Sequence, residues 1–66
     1  MANDEMIQGY RDGRNLENPE PNDNRSHSYR HGFKAGRSDV THTLQFPSVQ
    51  AAIEMANEAV SKDASA

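Results

Sequence analysis

The chain has 66 residues, 33% of them hydrophobic, with neither cysteine nor tryptophan, and a formal net charge of −3 at pH 7. That length allows one small domain with a thin core, at a size where about 60% of the unfolded surface can be buried. Disulfide staples and cysteine-based zinc sites are excluded, no apolar run approaches the roughly 20 residues of a membrane span, and the start MANDEMIQ lacks the basic and hydrophobic regions of a signal peptide.

A soluble, cytoplasmic protein is therefore expected. Its charge is unevenly placed. Residues 11–37 hold six of the seven cations (Arg11, Arg14, Arg25, Arg30, Lys34 and Arg37), while both ends are acidic. A mildly basic middle admits an anionic partner, more weakly than a strongly basic protein would.

The first element is a helix. Asn3 or Asp4 is a suitable N-cap, Asp4 and Glu5 supply acids for the first turn, and Met6, Ile7 and Tyr10 follow at helical spacing. The pattern fades near Asn15, and residues 15–24, NLENPEPNDN, cannot form a helix interior because of their two prolines. Asp23 or Asn24 is positioned to cap a second helix that runs through Tyr29 and Phe33 and ends at Gly36 as its C′ residue. Residues 40–46 are rich in β-branched and large apolar side chains and read as a short extended segment or strand within a linker over 38–47. Pro47 and Ser48 announce a third helix over 48–61, with Val49, Ala52, Ile53, Ala56 and Val60 as its apolar stripe, and 62–66 as a frayed tail. The fold class is all-α: one domain over 1–66, a helical hairpin over 6–36 and a C-terminal amphipathic helix.

All four glycines fall in two related hexapeptides, GYRDGR at 9–14 and GFKAGR at 32–37. A glycine inside a helix costs about 1 kcal/mol relative to alanine, and glycines four apart share one helical face. The cost is offset if the bare faces let two helix backbones approach closely. Two short helices with glycine faces together and Tyr10 and Phe33 interleaved form the simplest arrangement, with Gly13 and Gly36 doubling as C-caps. Arg14 and Arg37, which close the copies, suit two roles equally: neutralising carbonyls at a helix end or gripping phosphate.

These residues carry a resemblance. Gly9-Tyr10-x-x-Gly13, a loop with Pro19 and Pro21, then Arg25-x-x-x-Tyr29-x-x-Gly32-Phe33 is similar to the pattern of the ribosome modulation factor family. The similarity covers about residues 6–36; Tyr29 and Phe33 stand where the family usually has tryptophan, and residues 40–66 have no counterpart there. The resemblance implies a helical hairpin that binds the small ribosomal subunit near the messenger-RNA exit region and promotes inactive ribosome dimers. Small proteins of this kind encoded by phages and plasmids are also expected.

The function expected is binding, not catalysis. Arg11, Arg14, Arg25, Arg30, Lys34 and Arg37 are the candidate contacts to ribosomal RNA. Tyr10 and Tyr29 either stack on bases beside those arginines or sit in the core with their hydroxyls at its rim. The alternative is an interaction protein of phage or plasmid type that binds and inhibits a host protein through its acidic and apolar C-terminal half, with Val49, Ile53 and Val60 as contacts. The same stripe could instead complete the hairpin's core or pair with a second copy. His27 and His31, four apart, have chelating spacing but no third ligand in their helix, and Asp23, Ser26, His27 and Ser28 crowd along one turn without a pocket. No metal, cofactor or enzyme activity is expected.

Overall fold

The computed structural model describes residues 3–65. It holds three helices, α1 (Asp4–Arg14), α2 (His27–Thr41) and α3 (Val49–Ser65), and no strand among the described residues. Helix α1 starts as its sequence dictates: the Asn3 side chain accepts the Met6 N–H at 2.9 Å, with Asp4 and Glu5 in the first turn and Arg11 and Arg14 in the last. At its end Asn18 Nδ2 donates to the Asp12 carbonyl at 2.9 Å, satisfying one of the orphaned acceptors.

Helix α2 differs from expectation at both ends. Its N-cap is Ser26, whose Oγ accepts the Tyr29 N–H at 3.0 Å, not Asp23 or Asn24. Those two lie in a turn organised by Asn22, whose side chain takes the Asn24 N–H and whose carbonyl takes the Arg25 N–H. The helix also runs through Gly36 to Thr41 and ends on His42, a left-handed residue at φ 57°. The expected strand at 40–46 is absent. Ser38 and Thr41 donate their hydroxyls to the carbonyls of Lys34 and Arg37 four residues back, which fits these residues into the helix. The short linker is then pinned by Gln45 N–H on Ser38 Oγ and by the buried ring of Phe46.

The two hexapeptides meet face to face, with all four glycines at the α1–α2 contact. A Cβ at Gly9 would run into the carbonyl oxygen of Tyr29, and one at Gly13 into that of Phe33. Gly32 and Gly36 likewise oppose the carbonyls of Met6 and Tyr10. In each case the distance falls well inside the 3.0 Å that real Cβ atoms keep. The pairs exchange when positions 9, 13, 6 and 10 are replaced by 32, 36, 29 and 33, so the repeat is an internal pseudo-two-fold. Capping obeys the same relation: Asn3 and Ser26 are equivalent, Asn3 Nδ2 donates to Ser28 Oγ, and Ser26 Oγ donates to Glu5. Glycine at Gly13 and Gly36 serves this close approach, not helix termination, which is why Gly36 fails to stop α2.

Helix α3 begins at Val49, just after Ser48, whose Oγ accepts the Ala51 N–H at 3.0 Å, and continues through Ser65. Residues 62–65 of the expected tail are thus helical; Ala66 lies outside the described residues. The helix packs on α2 through Ala59, which is buried, flanked by half-buried Ala52, Ala56 and Asp63. Val49 and Ile53 of the expected stripe stay 68% and 54% exposed, and Val60 is half-buried. The rotation follows from small side chains permitting close packing and from Asp63. Its carboxylate accepts the backbone N–H groups of His27 and Ser28 at 2.9 and 2.8 Å, capping α2 from the far end of α3. The core is correspondingly small: Met6, Tyr29, Phe33, Phe46 and Ala59.

Candidate nucleic-acid interface

Helix α2 turns Ser28, Tyr29, Gly32, Phe33 and Gly36 inward. What remains on the opposite side is set by helical spacing: His27, Arg30, Lys34 and Arg37 fall at i, i+3, i+7 and i+10, along one outer row. Arg30 bonds Asp23 at 3.4 Å and His27 Nδ1 at 3.0 Å. Lys34 is exposed, with its ammonium 5.0 Å from the Phe46 ring centre. Arg37 donates to the Asn18 carbonyl at 2.6 Å and lies 4.9 Å from the Phe33 ring centre.

Of the six expected cationic contacts, the structure brings Arg30 and Lys34 together along one cleft, leaves Arg37 on the same row by spacing but folded onto Phe33 and the Asn18 carbonyl, and disperses the rest. Arg11 is exposed on α1. Arg14 pairs with Asp39 at 3.4 Å beside Tyr10, and Arg25 lies over the Tyr29 ring at 3.6 Å. Each of the four aromatic rings thus has a cation against it, an attraction worth about 0.5–2 kcal/mol depending on exposure. Arg37 also serves the helix-end role, though from inside α2, because it reaches across to the carbonyl of the loop that follows α1.

Both tyrosines engage acids. Tyr29, 5% exposed, donates its hydroxyl to Asp12, and Tyr10 donates to Asp39 at 2.7 Å. Burial, and then the Asp12 carboxylate, push the Tyr29 phenol above its ordinary value; the hydrogen bond to Asp39 leads the same shift at Tyr10. With Arg25 on one face and the protein on the other, the Tyr29 ring fits the core reading better than base stacking. Tyr29→Phe is expected to lower stability by about 1.5–3 kcal/mol, the loss of one charge-assisted hydrogen bond; a urea titration reads it directly.

A cleft of about 270 Å³ opens between α2 and α3 beside the cationic row. Helix α2 contributes His27, Arg30, His31 and Lys34 to it; Phe46 and the α3 residues Met55, Glu58, Ala59 and Lys62 form the other side. His31 stacks on Phe46 with ring centres 5.0 Å apart. Burial, reinforced by the Lys34 charge, lowers the His31 pKa, so its ring is neutral at pH 7. No group of three His, Asp or Glu side chains among the described residues is placed to hold a metal ion, and Ser28 is fully buried and bonded to Asn3 and Asp63. Sequence reading missed Lys62 and Met55 as site residues because it ended α3 at residue 61 and weighed only its apolar stripe. The Glu58–Lys62 pair, four apart and 3.0 Å in the structure, was the available signal that the helix continues.

No helix among the described residues is long and apolar enough to cross a membrane. No family model matches the chain, and neither a curated protein nor a solved structure matches it.

Proposed function

We propose that this chain is a non-catalytic binding protein that contacts ribosomal RNA, and so modulates the translation apparatus, through the outer face of α2. One observation carries the reading: two of the acids that make the composition negative, Asp12 and Asp39, are engaged away from the cationic row. Asp12 is taken by Tyr29 and Gln8, and Asp39 by Tyr10 and Arg14. Among the described residues, Asp23 is the one carboxylate in ion-pair range of Arg30, Lys34 or Arg37. Arg30, Lys34 and Arg37 outnumber the nearby carboxylates Asp23 and Glu58, and phosphate neutralisation dominates affinity for RNA. The partner class draws support from the resemblance to the ribosome modulation factor family at Gly9, Tyr10, Gly13, Arg25, Tyr29, Gly32 and Phe33, the residues that build the hairpin.

Three cations make a modest site, with an expected salt slope near −2 for single-stranded RNA. Binding to ribosomes and to a generic single-stranded RNA across a salt series tests it. Arg30→Gln combined with Lys34→Gln should weaken both about tenfold or more and flatten the slope by about 1.4, since each lost phosphate contact removes about 0.7. Absence of binding to either at low salt overturns the reading. The exposure of Val49 and Ile53 favours a second reading, in which α3 binds and inhibits a host protein. A host protein retained by the wild type and lost with Val49→Ser plus Ile53→Ser, alongside no RNA binding, would establish that alternative.

A further inference from the structure

We propose that the cleft between α2 and α3 takes a single unpaired nucleotide, its phosphate held by Arg30, Lys34 and Lys62 and its base or sugar packed against Met55 and the His31–Phe46 pair. The identification of that nucleotide as part of an RNA rests on the reading above; the site itself does not. Three cations line the cleft against one carboxylate, Glu58, which is engaged by Lys62 at 3.0 Å. The lining therefore keeps a positive excess that suits a phosphate, the monoanionic diester of a strand or the dianion of a free nucleotide. Beside His27 and His31, the rest of the wall is apolar: Phe46 and Ala59 are buried in it, and Met55, 38% exposed, offers a polarisable side chain to a ring.

Size narrows the ligand further. At about 270 Å³ the cleft sits just below the usual range of ligand pockets, about 300–1,000 Å³. It has room for one nucleotide and none for a duplex. Unpaired bases splayed from a strand are the usual targets of sequence-sensitive RNA recognition, because only then are their faces free to pack on side chains. The neutral His31 ring supplies such a face without the desolvation cost of burying a charge. This property belongs to the three-helix chain and not to the hairpin alone, since Phe46, Met55 and Lys62 all follow residue 40.

The test uses the full chain and three small probes: a nucleoside 5′-monophosphate, the matching nucleoside, and inorganic phosphate, each followed by NMR. The monophosphate is expected to shift His31, Phe46, Met55 and Lys62 resonances and to bind at least about tenfold tighter than either fragment, since both halves contribute. Lys62→Gln, at a side chain 55% exposed, should weaken the monophosphate about fivefold while helical circular dichroism stays unchanged. Met55→Ser should erase its advantage over inorganic phosphate. No shift at these residues, or inorganic phosphate binding as tightly as the monophosphate, overturns the proposal. RNA binding that persists unchanged in the Lys62→Gln, Met55→Ser double variant overturns the identification of that nucleotide as part of an RNA, and leaves the outer-face reading standing. Monophosphate binding without RNA binding supports the cleft and overturns the outer-face reading.

Discussion

Gly32→Ala is expected to destabilise the chain by about 3 kcal/mol or more, although alanine is the better helix former by about 1 kcal/mol. The added methyl would enter the carbonyl oxygen of Met6, an atom of the α1 backbone. Backbone cannot rotate aside as a side chain does, so α1 must shift as a body. That shift opens the other three glycine contacts at Gly9, Gly13 and Gly36, because all lie along one seam. Overpacking alone costs about 1–3 kcal/mol where side chains can yield, and here they are not the obstacle. A domain of this size holds only a few kcal/mol of net stability, so the variant should be largely unfolded at 25 °C by circular dichroism. Ala35→Gly, on the same helix and only half-buried, is the contrast: it should lose about 1 kcal/mol through propensity alone. A higher urea midpoint for Gly32→Ala than for wild type would refute the close α1–α2 seam.

Asp63→Asn is expected to cost about 2 kcal/mol and to loosen α3 from the hairpin. The carboxylate accepts two backbone N–H groups at the start of α2, His27 and Ser28, and charged acceptors at this position combine capping with attraction to the helix dipole. The Ser28 hydroxyl is the largest cause holding the Asp63 carboxyl below its usual value of 3.8; burial opposes, and the two N–H groups add to the lowering. A depressed carboxylate contributes stability that is fully present above the unfolded value and disappears as pH falls through the folded one. The wild type should therefore lose stability below about pH 4 more steeply than Asp63→Asn, with the gap between them constant from about pH 5 to 7. Denaturant midpoints at a series of pH values decide the matter. Identical acid profiles for the two proteins would show that Asp63 does not hold α3.

Much of this fold was legible because the signals were local. Asn3 before two acids specifies the start of α1, the prolines of the 15–24 loop forbid helix there, and Ser48 opens α3. The glycine repeat was legible for a different reason: four costly residues at matched spacing have few explanations besides close helix contact. The candidate site was half legible. Arg30, Lys34 and Arg37 share a face by helical spacing alone. Arg14 and Arg25 each lie over a ring four residues away, Tyr10 and Tyr29, a local spacing; that Arg14 also meets Asp39 depends on a neighbour 25 residues distant, which no local pattern announces.

By itself, then, the sequence determined an all-helical chain with a glycine-faced hairpin, since capping, proline and helix periodicity act over a few residues. Tertiary structure decided the remainder. It extended α2 past Gly36, because that glycine was needed against Tyr10 and not as a stop. It made a helix of residues expected to fray, because Asp63 finds the open end of α2 only when α3 folds back. The same fold-back creates the cleft that joins Lys62 to Arg30 and Lys34. Long-range contacts set which ends are capped and which charges meet, and these depend on how the helices cross.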